Sequence, residues 1–255
     1  MPELPFVDRE LKTIVFDVDG TLYRQNALRR AMLFRLLGAH AADPVRGWRT
    51  LRILREYRRA QEHLRETPDA RDVAAEQIRI ASARTNVGHD AVVECVRRWM
   101  EEEPLAFLPG CVQPHLLEFL RACKARGLRL GALSDYPAEA KLRALGIEEF
   151  FDEVLCAQSP DVDAFKPNPR GLLAAVERLG STTAETLYIG DRVDVDAATA
   201  EAAGVRSAIL TRHRAGGHVR FANYAQLQDL LWPPDARISA QHGDDAQNGL
   251  PLRRG

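Results

Sequence analysis

The stretch TIVFDVDGTLYRQ, residues 13–25, decides how this chain reads. An apolar run stops on two aspartates one residue apart, and Gly-Thr follows at once. Residues two apart in a strand point to the same face, so Asp17 and Asp19 begin as like charges aimed into one small space. Such a pair costs stability unless something positive sits between its members. Asp and Gly also belong in turns, which makes a strand-end turn the plain alternative. A calcium loop of the EF-hand type does not fit, because it asks for Gly at its sixth position and Glu at its twelfth, where this stretch has Leu22 and Leu28.

Working outward, five segments read as buried strands: 13–18, 128–134, 152–157, 186–191 and 206–210. Helical stretches with start and stop signals lie between the last four. Residues 137–146 end on Gly146. Residues 168–180 offer Asn168 as cap, Pro169 in the first turn and Gly180 as terminator, and residues 194–204 end on Gly204. Strands alternating with helices of this length predict βαβ units, hence an α/β fold on a parallel sheet.

The first strand is followed by a long helical interval. Candidate helices span 27–38, 44–65, 70–86 and 89–102, broken at Asp43-Pro44, Thr67-Pro68 and 86–88, and closed by Pro104 and by Leu-Pro-Gly at 108–110. An interval of this size cannot be buried inside a sheet. Residues 24–104 therefore read as a helical domain carried on a core made of 11–23 and 105–232, with hinges near 22–26 and 103–110. Residues 111–127 return to the core as a helix. Within the insert Trp48, Leu51, Leu54 and Tyr57 repeat every three residues beside Arg46, Arg49, Arg52, Arg55 and Arg58. A helix turns every 3.6 residues, so both tracks drift around its axis, and a packed helix with a solvated arginine side is favoured over a substrate-reading surface. The tail 233–255, rich in Pro, Gly, Asp, Gln and Arg, is expected to be disordered.

With 255 residues, 45% hydrophobic and 28% charged, the chain has the balance of a soluble globular protein, and its net charge of −1 argues against a dedicated nucleic-acid or membrane binder. Cys95, Cys111, Cys123 and Cys156 form no CxxC pair and read as reduced, packed thiols. The first residues lack a basic region followed by an apolar stretch, and no apolar run nears the roughly 20 residues of a membrane span, so a cytoplasmic location is the default expectation.

Ligands of parallel α/β sheets bind outside the carboxyl ends of the strands. Strand one ends in Asp17-Val18-Asp19-Gly20-Thr21 and strand two in Ser134-Asp135. Lys166 lies in the loop after strand three, and strand four ends in Asp191 with Asp194 and Asp196 close behind. Carboxylates gathered on one rim with a single lysine call for a cation, and an all-oxygen donor set favours Mg²⁺ over zinc or copper. Magnesium takes one or two carboxylates plus phosphate oxygens, so a phosphate-bearing substrate fits such a rim. Lysine is scarce here, occurring only at 12, 124, 141 and 166, and a crowded carboxylate–phosphate site has reason to prefer its compact charge. Ser134 alone would read as a turn hydroxyl, and Asp194 as the cap of the helix that follows.

The motifs DVDGT at 17–21, LSD at 133–135, FKPNP at 165–169 and GDRVDVD at 190–196, in that order on successive strand ends, resemble those of the haloacid dehalogenase-like (HAD) hydrolase superfamily. The resemblance covers about residues 11–232, and the helical insert resembles the C1-type cap of subfamily I. It implies a Rossmann-like parallel sheet with helices on both faces plus a helical cap domain, and a Mg²⁺-dependent phosphatase acting on a small phosphorylated metabolite. Asp17 matches the nucleophile that becomes an aspartyl-phosphate, and Asp19 the general acid and base. Ser134 and Lys166 match the groups holding the phosphoryl oxygens, beside Gly20, Thr21 and Asp135 in the substrate loops. Asp17, the Val18 carbonyl and Asp191 match the Mg²⁺ ligands, with Asp19 and Asp196 in the acidic set around the ion and Asp194 an alternative to Asp196. The metal is expected to keep Asp17 ionised while Asp19 carries a proton near neutral pH. Asp19 speaks against dehalogenation, and the absence of lysine from 24–104 against a phosphonatase. A phosphosugar mutase of the β-phosphoglucomutase type and a non-catalytic scaffold that binds a partner through the cap stay as alternatives. Oligomeric state stays open.

Overall fold

The computed structural model describes residues 11–67, 70–212 and 218–233. Six parallel strands form one sheet in the order β3-β2-β1-β4-β5-β6. These are β1 (Thr13–Phe16), β2 (Arg129–Ser134), β3 (Glu153–Cys156), β4 (Thr186–Gly190), β5 (Arg206–Leu210) and β6 (Val219–Phe221). The chain builds outward from β1 to β3, then crosses to β4 and builds the other way. β1 pairs with both β2 and β4, with Thr13 opposite Arg129 and Thr186, so the order reverses between β1 and β4. A crevice opens at such a reversal, at the carboxyl ends of the strands.

Strand alternation divides the core into two layers. Ile14 and Phe16 pack with α5 (Leu116–Ala125) and α9 (Tyr224–Leu231) through Phe119, Leu120, Tyr224 and Leu227. Val15, Leu133 and Tyr188 face the other way, onto Leu172 and Val176 of α7 (Arg170–Arg178), Leu179 just beyond its end and Ala200 of α8 (Ala198–Ala203). Each fully buried aliphatic side chain contributes about 1.5–3 kcal/mol. Helices thus cover both faces. Between β2 and β3 the chain forms the short α6 (Glu139–Ala144).

The interval after β1 holds α1 (Gln25–Ala39), α2 (Pro44–Arg65), α3 (Val73–Thr85) and α4 (His89–Val96). Asp43 accepts the Arg46 N–H to cap α2 behind Pro44, and Asn86, in the left-handed region, ends α3. Ile53, Tyr57, Ala81, Val87, Val92 and Val96 form a small core of their own. All five arginines of the α2 track are exposed, as expected, while the apolar track drifts: Trp48 is 70% exposed and Tyr57 3%.

Several boundaries differ from the sequence reading. The sixth strand was not anticipated; three residues are too few to show a period. The helix expected over 89–102 relaxes after Val96 into wide turns at Arg97–Glu102 and tight turns at Glu103–Cys111, where Pro104 and Pro109 cannot donate. The helix expected over 111–127 starts only at Leu116, after His115 at φ +62°. All four cysteines are free. Of the tail expected to be disordered, residues 234–255 lie outside the described residues. Among the described residues no helix is long and apolar enough to cross a membrane.

Candidate active site

Asp17 follows the last residue of β1 and is 5% exposed. Its Oδ2 accepts the Thr21 hydroxyl at 2.7 Å, and its Oδ1 accepts Lys166 Nζ at 2.5 Å. The same ammonium donates to Asp196 Oδ1 at 2.8 Å and to the Tyr188 hydroxyl at 3.3 Å. Asp196 is fixed in turn: its Oδ2 accepts the main-chain N–H groups of Asp191 (3.1 Å) and Arg192 (3.0 Å), and its Oδ1 the Tyr188 hydroxyl at 3.2 Å. One lysine therefore bridges the ends of β1 and β4 across the crevice.

Two glycines make this approach possible. Gly20 lies at φ +108°, and a Cβ there would stand 2.3 Å from Asp191 Oδ2. A Cβ on Gly190 would meet Asp196 Cβ at the same distance. Larger residues at either position would push the acids apart.

Carboxylate oxygens of Asp17, Asp191 and Asp196 all lie within 4.8 Å of one another. Burial and the charges of Asp196 and Asp191 raise the Asp17 pKa well above its usual range, against the pull of Lys166. Burial and Asp196 push Asp191 up to about 6. Burial disfavours the charged form of Lys166, but Asp17 and Asp196 outweigh it and keep the ammonium protonated. A single buried ammonium is thus shared by Asp17 and Asp196 with Asp191 alongside, and this hard, crowded, all-oxygen donor set fits a small dication such as Mg²⁺. The Val18 carbonyl accepts the Leu22 N–H at 3.1 Å, which leaves its second lone pair available.

Asp19 belongs to a separate group. Lys141 Nζ donates to both its oxygens, at 2.7 and 2.9 Å, and the Tyr23 hydroxyl donates to Oδ1. This corrects two expectations. Asp19 stands outside the three-acid cluster, its oxygens paired with Lys141 instead. It is also not poised to hold a proton near neutral pH: burial alone would raise its pKa, but Lys141 and Tyr23 overcome that and hold it below the usual carboxylate range.

The remaining sequence candidates surround these groups. Ser134 is fully buried at the end of β2, its Oγ accepting the Tyr136 N–H at 3.3 Å. Asp135 Oδ1 accepts the Lys166 N–H at 3.3 Å. The Gly20 carbonyl accepts Gln113 Nε2 at 2.8 Å, and the Thr21 carbonyl the Tyr224 hydroxyl at 3.0 Å, so the loop after β1 is tied down from the core side. Asp194 is exposed and pairs with the Arg192 guanidinium at 2.6 Å; it makes no helix-capping bond, which corrects that expectation.

Sequence reasoning missed Lys141, Tyr23 and Arg65. The scarcity of lysine that singled out Lys166 applied equally to Lys141, seven residues beyond Ser134. Nothing local distinguishes Arg65 from the other arginines of α2.

The family model described as haloacid dehalogenase-like hydrolase matches residues 11–204. The chain is 30% identical over 233 residues to a phosphoglycolate phosphatase of Cereibacter sphaeroides, covering 86% of this chain and 96% of that one. It is 28% identical over 207 residues to the glyceraldehyde 3-phosphate phosphatase of Methanopyrus kandleri, covering 76% and 82%. Among solved structures, the magnesium-bound HAD-hydrolase YfnB of Bacillus subtilis superposes with a TM-score of 0.64 at 16% identity, over 88% of this chain and 99% of that one, a likeness of fold.

Proposed function

The chain belongs to the haloacid dehalogenase-like hydrolase family and is a phosphoric monoester hydrolase, and from that premise we propose that it is a Mg²⁺-dependent phosphatase working through an aspartyl-phosphate on Asp17. The observation that carries this reading is the Asp17–Lys166–Asp196 bridge with Asp191 alongside, at the crevice where the strand order reverses.

In the first step an Asp17 oxygen attacks phosphorus and the bond to the leaving oxygen breaks. The leaving oxygen takes its proton through Asp19, whose carboxylate is hydrogen-bonded to the Lys141 ammonium at 2.7 Å and to the Tyr23 hydroxyl, both proton donors against it. In the second step Asp19 takes a proton from water as the water attacks phosphorus. The bond to Asp17 then breaks, releasing phosphate and restoring the carboxylate. Lys166 and Ser134 hold phosphoryl oxygens, with Gly20, Thr21 and Asp135 shaping the loops around them. Asp17, Asp191 and the Val18 carbonyl would hold Mg²⁺, with Asp196 behind them, and the ion would supply charge neutralisation for the transferring group. Asp196 also orients Lys166 through the 2.8 Å contact. Residues 24–104 form the cap over a core of 11–23 and 105–232. Relatives named for phosphoglycolate and glyceraldehyde 3-phosphate support a small phosphomonoester substrate.

The test is phosphate release over phosphoglycolate, glyceraldehyde 3-phosphate, sugar phosphates, nucleotides, and flavin and pyridoxal phosphates, with Mg²⁺ or EDTA. Turnover is expected with Mg²⁺ and lost in EDTA. Asp17→Asn is expected to lower kcat by at least on the order of 10³-fold with the fold retained. Wild-type rates in that variant would remove the nucleophile.

A further inference from the structure

The rim of the site is not built by the sheet alone. At the end of α2, Arg65 donates from Nη2 to Asp135 Oδ2 at 2.6 Å and from Nη1 to the main-chain carbonyl of Lys166. Its two acceptors lie on different loops of the core, one beside Ser134 and the other on Lys166 itself. Asp135 in turn accepts the Lys166 N–H, which closes a small ring of three residues. The Arg65 side chain is only 9% exposed, and its Nε lies 3.3 Å from Glu62 without making a hydrogen bond. Two further contacts seat this end of the insert. Arg192 reaches Glu62 at 3.4 Å, and the Asp163 carboxylate accepts the N–H groups of Asp72 (2.9 Å) and Val73 (2.8 Å) at the start of α3.

We infer that Arg65 is a positioning residue for phosphoryl transfer: by gripping Asp135 and the Lys166 carbonyl together, it sets where the Lys166 ammonium stands relative to Asp17. A planar guanidinium presents its N–H groups at fixed angles, so it locks two acceptors in a way a lysine cannot. The insert thereby completes the site as well as covering it. This rests on the phosphatase reading above, in which Lys166 holds the transferring group. Displacing such a group by about 1 Å costs on the order of 10²-fold in rate.

The experiment compares kcat and KM of the full-length wild type, Arg65→Ala, Arg65→Lys, Asp135→Ala and the Arg65→Ala/Asp135→Ala double variant on the best substrate of the phosphate-release screen. Arg65→Ala is expected to lose about 10²-fold in kcat with a much smaller change in KM, and low, non-denaturing guanidinium is expected to recover part of it. The double variant is expected to be no slower than the slower single one, because both changes break the same link. Arg65→Lys keeps the stem and the charge, guards against a folding failure of the alanine variant, and is expected to stay impaired. Wild-type kcat in either Arg65 variant, or losses that multiply in the double variant, would overturn the inference. An active wild type with unimpaired Arg65 variants sinks this inference alone. A wild type that releases no phosphate from any substrate sinks the phosphatase reading, and this inference with it.

Discussion

Two polar regions of the molecule are built on opposite principles. On the rim between β1 and β4, Asp17, Asp191, Asp196 and Lys166 crowd full charges into a buried space. At the seam between insert and core, apart from the Arg65–Asp135 pair, the buried groups around Gln77 are neutral. Gln77 donates to the Tyr57 carbonyl (2.9 Å) and the Tyr136 hydroxyl (3.1 Å), Gln158 donates to the Tyr57 hydroxyl (2.9 Å) and Gln77 Oε1 (2.8 Å), and Tyr136 donates to Gln61 (2.7 Å). A satisfied neutral network fixes one arrangement at little electrostatic cost, whereas a cluster with more carboxylates than cations is held against its own repulsion. The seam is built for position and the rim for chemistry.

The sharpest way to break this contrast is to remove the charge that holds the rim. Lys166→Met leaves Asp17 and Asp196 facing each other without a cation and is expected to cost roughly 3–5 kcal/mol in urea unfolding without added metal. Adding Asp17→Asn to that variant is expected to recover part of the loss. A Lys166→Met protein as stable as wild type would show that the rim carries no electrostatic burden.

At the seam the effect is smaller. Gln77→Leu strips partners from Tyr57, Tyr136 and Gln158 and is expected to cost about 1–3 kcal/mol by the same measurement, while lowering kcat less than Arg65→Ala does. If Gln77→Leu equalled Lys166→Met in cost, the distinction between the regions would fail.

The smallest effect is in the response to alkali. Burial pushes the Tyr57 hydroxyl from about 10 up to about 12, against a hydrogen bond from Gln158 that lowers it. Between those values the folded chain keeps a proton that the unfolded chain has lost. Stability from this group is therefore full below pH 10 and declines as pH rises through 12, by about 1 kcal/mol at pH 11. The difference between wild type and Tyr57→Phe in urea unfolding at pH 9 and pH 11 measures it, and a pH-independent difference would contradict it.

Much of the rim was legible in the sequence because its residues sit at strand ends, where alternation, turn glycines and acid spacing coincide. Asp17, Lys166, Asp191 and Asp196 come together as that pattern implies, whereas α7 has Pro169 at its N-cap and Asn168, one residue earlier, accepts the Arg170 N–H at 3.0 Å. Asp194 and Asp196 could not be separated from spacing alone. The wide turns at Val193–Ala197 aim one at Lys166 and the other at solvent. The seam left no such trace, since Gln61, Gln77 and Gln158 lie on separate elements and none has a local pattern.

By itself the sequence determined the parallel α/β core, the helical interval after β1 and the acids of the rim, because periodicity, capping and strand-end chemistry are local properties. Only the tertiary structure decided that Asp19 answers to Lys141, that Arg65 reaches Asp135 and the Lys166 carbonyl, and that neutral amides close the seam. Those contacts join residues 59 to 122 positions apart, and the side chain that meets another at such separations is set by how helices and loops pack, which no short stretch encodes.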